Sequence, residues 1–436
     1  MKRLGGVLIM LLLWLAFMPD SVARCQQMKG AMHAGDGMTA QIPFGRINLT
    51  DTYLQPAGSL LASTVVAPTA YTFGGAHAGT VLWECDEADL PALTFLVATN
   101  GDDRVGGFWD VGRGDGLQDV YATWFEHVGL RLSMAEVVLT RFWKAVPLTS
   151  YALVGGRVQI RLQDIPALRA ELYRISSLPP ASGAASNFCG RMMSASGTGT
   201  VYTCNQPNGY VQLKGPGLVS DEVGADSAWH YRFWGAHNGF GYGLRNAVSL
   251  SNNATCVART ATPQVVLPTI SAAELAAGQV ARGRFGVQLE CSSAASSGTG
   301  SGQTAIGIQV SAMAYAHAQR LGLLNPAGGV EALVSDNYGQ VGYAEGVGIQ
   351  LEDTSSGTTM TFVGQPGMTG NVPGANPSGR SAGWWPVMEG ATVTGSSAAG
   401  YQNHQRSYDA VLRMLPGQVP TPGKVQATAH VLVKVQ

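Results

Sequence analysis

The sequence predicts an all-β protein built as β-sandwiches in tandem. Short β-rich runs are punctuated by turn residues, with 57 Gly and 21 Pro in 436 residues. Once an apparent leader is set aside, about 410 residues remain, enough for two or three domains of ~100–200 residues each. Six cysteines, an even number, point to a disulfide framework in an exported chain.

The leader is read from Met1-Lys2-Arg3, followed by an apolar run from Val7 to Met18. A basic start and a short apolar core describe a secretory signal peptide. Ser21-Val22-Ala23 supplies the small residues of a cleavage site, so residues 1–23 are expected to be removed. The run is shorter than the ~20 residues that span a bilayer. Arg24 stands directly before Cys25, where a lipidated cysteine would need a small neighbour.

Charged residues make up 13% of the chain and the net charge is −1. A nucleic-acid partner, which calls for a basic excess, is therefore excluded. The cysteines are Cys25, Cys85, Cys189, Cys204, Cys256 and Cys291. They allow 15 connectivities. Pairing in sequence order is the expectation, because each bridge then staples one local unit. There is no C-x-x-C and the histidines are scattered, so neither a metal nor another cofactor is expected.

In chain order, residues 42–49, 58–66, 80–85, 93–98, 137–146 and 157–162 read as strands. In the last of these, Val158, Ile160 and Leu162 alternate with polar residues, the period of a half-buried strand. Residues 171–175 follow as a further run, and residues 100–119 are a Gly- and Asp-rich loop. From Ser176 the chain turns loop-like, with a Gly/Ser/Thr-rich unit between Cys189 and Cys204. Residues 229–234 read as strand and 249–255 as a linker. Beyond it, residues 262–268 and 283–291 read as strands, 292–303 and 364–400 as loops, and 424–436 as a closing strand with Val425, Ala427, Ala429, Val431, Val433 and Val435 on one face.

Cys256-Val-Ala-Arg, Gln264-Val-Val-Leu-Pro, Phe285-Gly-Val-Gln-Leu-Glu-Cys291, Gly346-Val-Gly-Ile-Gln-Leu-Glu-Asp and Tyr408-Asp-Ala-Val-Leu together resemble a pilin domain. The whole resembles the two-domain adhesins of chaperone–usher fimbriae, of the type 1 pilus kind. The early cysteine pair Cys25 and Cys85, Trp143-Lys-Ala-Val-Pro-Leu and Gly155-Gly-Arg-Val-Gln-Ile are similar to the lectin domain of that family. The resemblance implies two immunoglobulin-like or jelly-roll sandwiches: a receptor-binding domain at 24–248 and a pilin domain at 250–436. The pilin sandwich is expected to lack its final strand. A periplasmic chaperone fills the groove first, and a neighbouring subunit then inserts its own N-terminal strand, a case of β-strand addition. An outer-membrane usher is a further implied partner, and a glycan the implied receptor. No alternating tail precedes Cys25, as expected of a tip subunit, which would pass through the periplasm to the outside of the cell. Val435 stands where the family usually has Tyr.

The resemblance places sugar-binding groups after the second cysteine, at Asp86, Glu87 and Asp89, and in the expanded 176–228 stretch, at Asp221, Glu222, Asp226 and the following Trp229. Carboxylates suit sugars because they accept paired hydrogen bonds from hydroxyls. The family's Asn-Asp is absent after Cys85, so mannose specificity does not carry over. The 100–119 loop offers an Arg113-Gly114-Asp115 tripeptide and the acids Asp102, Asp103, Asp110 and Asp115, whose spacing fits no EF-hand. No catalytic constellation stands out, and the chain is expected not to be an enzyme. Two alternatives are a structural or adaptor pilin and, from a different class, a secreted carbohydrate-active enzyme, which would need paired carboxylates across a cleft.

Overall fold

The computed structural model describes residues 25–28, 32, 39–195, 199–365 and 378–436. The expected signal peptide lies outside the described residues, as does part of the 364–400 loop. The described chain is all-β apart from short helices, with the strands arranged in several sheets.

The two largest apolar cores share no residue. The first gathers side chains from Cys25 to Leu250. Its principal sheets are Lys144–Pro147, Thr94–Thr99, Gly209–Lys214, Gly239–Gly243 and Ala40–Gln41 in one, and Leu60–Val66, Leu168–Arg174, Val128–Met134 and Tyr121–Ala122 in another. Cys25–Gln27, Val81–Asp86, Arg157–Arg161 and Ala152–Val154 make a third, tied by the Cys25–Cys85 bridge. The second core begins at Cys256. Its larger sheet orders Cys256–Ala261, Ala281–Ser292, Tyr401–Met414, Val347–Asp353 and Thr359–Met360. Opposite lies Trp385–Pro386, Thr304–Val310 and Ala429–Val435. Cys256–Cys291 joins the first two strands of the larger sheet, and Cys189–Cys204 closes a 15-residue separation in the first unit.

Several elements depart from the sequence reading. Residues 249–251 are not linker: Val248–Ser251 is a strand, parallel to Gly45–Asn48, with Val248 and Leu250 buried. Residues 229–234 are not a strand. Arg232–Ala236 forms one helical turn, because it drives Phe233 between Trp143 and Tyr210 on the outer face of the sheet. The 176–228 stretch is not an insertion of loop, since Gly209–Lys214 is a buried central strand. The 137–146 run splits. Val137–Val138 pairs with Val128–Met134, whereas Lys144–Pro147 crosses to Thr94–Thr99. Residues 262–268 hold no strand. Pro263 and Pro268 lack ladder donors, and Val265 and Leu267 only lean over Gly283. The closing strand begins at Ala429, because residues 424–426 hydrogen-bond instead to the 335–344 segment. The 364–400 loop contains two short strands, Trp385–Pro386 and Thr392–Gly395.

The second unit also buries an ion pair. Arg406, 1% exposed, donates to Asp353 at 2.6 Å, and Ser355 caps the same carboxylate through N and Oγ. Burial pushes the Asp353 carboxyl up, but the hydrogen bonds from Ser355 and Arg406 outweigh it and hold it below the usual range. Its contribution to stability is therefore present above an unfolded pKa of about 3.9 and lost as the pH falls through the lower folded value. Asp353→Ala strands a buried guanidinium and is expected to cost about 3–5 kcal/mol. Denaturant melts at pH 7 should show that loss, and the gap between variant and parent should narrow on acidification.

Candidate functional site

The seven sequence-predicted residues lie at two ends of one strand. Asp86, Glu87 and Asp89 sit on the turn that leads from Val81–Asp86 into Thr94–Thr99, beside the Cys25–Cys85 bridge. Asp221 and Glu222 lie near that end, since Gln212 and Lys214, which hold them, pair with Leu96 and Thr94. Asp226 and Trp229 belong to the other end, where Ser227 donates to the Thr99 carbonyl at 2.8 Å. The two groups are joined through the 221–232 segment, where the Ala225 N–H donates to the Glu222 carbonyl at 3.0 Å and the Arg232 N–H to the Asp221 carboxylate at 3.1 Å.

Most of these carboxylates already have internal work. Asp86 pairs with Arg157, which also reaches Glu84 at 3.1 Å. Asp89 is buried. Asp221, 2% exposed, accepts from Gln212 Nε2 at 3.1 Å and from the Arg232 N–H at 3.1 Å. Glu222 pairs with Lys214, and Asp226 with Arg141 at 3.0 Å. Glu87 is exposed. Trp229 is 79% exposed, and Val219, Val223 and Tyr231 on the same segment are exposed too. Phe142, which bridges to Asp226, extends this apolar surface.

The 100–119 loop is internally bonded. Asp103 accepts from Ser186 Oγ at 2.5 Å and the Val105 N–H at 3.1 Å, and burial pushes its carboxyl up. Asp115 accepts twice from Ser176, and Asp110 holds Arg113 at 2.8 Å. Arg113–Asp115 is thus one tight 3-10 turn whose acid is engaged. Among the described residues, no group of three or more His, Cys, Asp or Glu is placed to hold a metal.

A second site was not anticipated from the residues as a place between the two units. A trench of about 660 Å³ is walled by Thr255–Arg259 and Val431–Val435 of the second unit. The first unit contributes Arg46–Asn48 and Ser59–Thr64. Among the described residues, Ala429–Val435 pairs with Thr304–Val310 along one side only. Val435, where the resemblance expects Tyr, is 2% exposed and pairs with Thr304. Among the described residues, the trench wall holds Arg46, Arg259 and Lys434 and no Asp or Glu. Arg259 is engaged by Glu290 at 2.7 Å. Burial holds the Lys434 ammonium below its usual range, to about 8, and Arg46 adds to the effect. Gly383, at φ +92°, lets its loop press on Phe362 and Val363, and the adjoining Trp384 ring then lies 5.4 Å from Lys434 Nζ.

Residues 244–436, the C-terminal part of the chain, match the family model described as "Fimbrial protein". Among solved structures the chain is similar to the CupB6 tip adhesin from Pseudomonas aeruginosa, at 11% identity and a TM-score of 0.22, covering 95% of this chain and 94% of that one. It is also similar to the CsuC–CsuE chaperone–tip subunit pre-assembly complex of archaic chaperone–usher Csu pili of Acinetobacter baumannii, at 10% identity and a TM-score of 0.19, covering 94% and 99%. The P pilus rod subunit PapA matches 42% of this chain over 94% of its own, at 15% identity and a TM-score of 0.22. No curated protein sequence matches the chain. No helix among the described residues is long and apolar enough to cross a membrane.

Asp221 reads as a structural carboxylate. Asp221→Ala should cost about 1–3 kcal/mol by leaving the buried Gln212 amide and the Arg232 N–H unpaired. Urea melts would register this. A variant that melts like the parent would return Asp221 to the pool of free binding groups.

Proposed function

We propose that the chain is a fimbrial tip adhesin, with residues 24–248 as the receptor-binding domain and 250–436 as a pilin domain completed by another subunit's strand. The observation that carries this is the one-sided pairing of Ala429–Val435 among the described residues, whose other edge opens on a trench. An open edge of this kind invites pairing with another chain and must be covered. A periplasmic chaperone would cover it first, the outer-membrane usher would receive the complex, and a neighbouring subunit's strand would replace the chaperone. The absence of carboxylates from the trench wall gives no support to a glycosidase there.

For the receptor, the proposed contact is the Trp229 end of the first unit, with Asp226 and Glu222 as polar neighbours and Asp86, Glu87 and Asp89 as the second face to probe. An exposed aromatic on a rigid frame gives large contact area at little entropy cost, and its polar neighbours can fix the orientation of a glycan.

Two experiments test the two halves. Expressed in a periplasm without its chaperone, the full chain should aggregate or be degraded, and a donor strand fused through a flexible linker should restore it. A soluble, cooperatively melting chain with neither helper would sink the pilin reading. Trp229→Ala should lower adhesion of assembled fimbriae by about tenfold or more, as for a central aromatic contact, with fimbria number unchanged. Undiminished adhesion would move the receptor site to the Asp86–Asp89 face, or favour a structural subunit if that face is also silent.

A further inference from the structure

Of the three bridges, Cys189–Cys204 is set apart by where its sulfurs lie. Cys25, Cys85, Cys204, Cys256 and Cys291 are all buried, at 6% exposure or less, whereas Cys189 is half-buried between the exposed Phe188 and Gly190. Thiol exchange needs a thiolate to approach one sulfur directly, so a reachable bridge is the labile one. This bridge ties the middle of a surface arm, residues 181–195, to a fixed point. Cys204 stands two residues from Tyr202, which is 1% exposed and donates its N–H to the Val248 carbonyl at 2.8 Å.

The arm's other ties are mostly polar. Ser186 donates to Asp103 at 2.5 Å, and Asn187 to the Asp102 carbonyl at 2.6 Å. The Met193 N–H donates to the Trp124 carbonyl at 2.8 Å, and the Glu126 N–H to the Met193 carbonyl at 2.9 Å. Met192, Met193 and Ala195 only partly bury themselves on the first core. Beneath the arm lie two tryptophans. Gly183 presses so closely on Trp109 that a Cβ there would meet Nε1 at 2.3 Å. The Nε1 atoms of Trp109 and Trp124 are both buried with no acceptor among the described residues. A buried donor left unpaired costs free energy, so the arm covers these indoles without satisfying them. Phe108 packs on Trp109, centroids 5.2 Å apart, and lies 4.4 Å from the guanidinium of Arg141, the partner of Asp226.

We propose that Cys189–Cys204 is a redox-cleavable clasp: a dithiol reductant opens this bridge ahead of the other two, the 181–195 arm lifts, and the Trp109 and Trp124 indoles are uncovered beside Phe108 and Arg141. A thiolate of the reductant attacks Cys189 Sγ, the S–S bond breaks, and its electron pair leaves on Cys204 Sγ, which takes up a proton. The reductant's second thiol then displaces Cys189 from the mixed disulfide. Two electrons pass to the bridge, and the dithiol ends as its own disulfide. Ser186 Oγ, 3.8 Å from Cys204 Sγ in the bridged form, offers the new thiol a hydrogen-bond partner. With the covalent tie gone, the arm is left with the polar contacts above, and a segment so held opens locally while the core stays folded. The clasp does not depend on the adhesin reading.

The test titrates the full chain with dithiothreitol, alkylates the freed thiols and maps them by mass spectrometry. Cys189 and Cys204 should be labelled at about tenfold less reductant than the other four cysteines. At that stage hydrogen exchange should speed up at the Glu126 and Met193 amides and stay unchanged along Ala281–Ser292 and Tyr401–Met414. Indole fluorescence should become more open to acrylamide quenching, and a chain carrying Trp109→Phe and Trp124→Phe should lose that gain. A chain carrying Cys189→Ser and Cys204→Ser should show the fast exchange with no reductant present. If either variant fails to fold, the titration and exchange on the parent chain still decide. The proposal is overturned if the three bridges open together, if Cys189–Cys204 opens last, or if it opens first while exchange at Glu126 and Met193 stays slow.

Discussion

The free edge of Ala429–Val435 is the constraint around which the second unit is built. The larger sheet is well closed, with Ala281–Ser292 paired to Tyr401–Met414 over twelve positions. The smaller sheet stops at Ala429–Val435, and the described residues supply nothing to continue it. Backbone N–H and C=O groups on that edge need partners, as buried backbone almost always has them. The second core therefore ends in half-buried Val431 and Val433, which pack against it without sealing it. The stability of such a unit belongs partly to whatever chain completes it, so it rises with the concentration and affinity of that partner.

The first unit solves a different problem. It carries many acids in loops, and almost all of them are bound to neighbours: Asp86 to Arg157, Asp115 to Ser176, Asp221 to Gln212. These contacts make long Gly-rich loops rigid, because each bond fixes a segment that would otherwise be mobile. What is left pointing outward is chiefly aromatic and aliphatic, on the 219–231 segment. Specificity on such a surface comes from shape and stacking on a fixed frame, with few free charges to contribute.

Much of the fold was legible in the residues, and the reasons for the rest are physical. Strands with alternating burial, such as Arg157–Arg161, and strands ending in a bridged cysteine, such as Val81–Asp86, announce themselves. Gly209–Lys214 did not, because it is buried on both faces and shows no alternation, amid Gly- and Ser-rich neighbours that read as loop. The helix Ala312–Arg320 went unremarked, though its cap, Ser311 accepting from Ala314 N, and its alanines are visible. The aromatic run at 229–234 has strand composition, yet three-dimensional packing of Phe233 on Trp143 made it helical. The candidate acids could be named from sequence, but whether each had an internal partner could not, since Arg157 lies 71 residues from Asp86. The trench was invisible for the same reason: its walls come from segments some 370 residues apart that meet only when both units are folded.

That meeting bears on how force would pass through the molecule. The direct covalent path between the units is residues 252–255, four residues that could extend to about 13 Å. They are not slack: Asn48, itself 9% exposed, donates to the Asn253 carbonyl at 2.8 Å and accepts from the Asn253 N–H at 2.8 Å. Tyr53 adds a ring contact with Tyr401, centroids 4.4 Å apart, and a hydrogen bond to Glu290 at 2.9 Å. Apart from the Tyr53–Tyr401 pair these contacts are polar, as is common between domains that move relative to one another. Tension between the units would therefore be shared between residues 252–255 and these side-chain contacts.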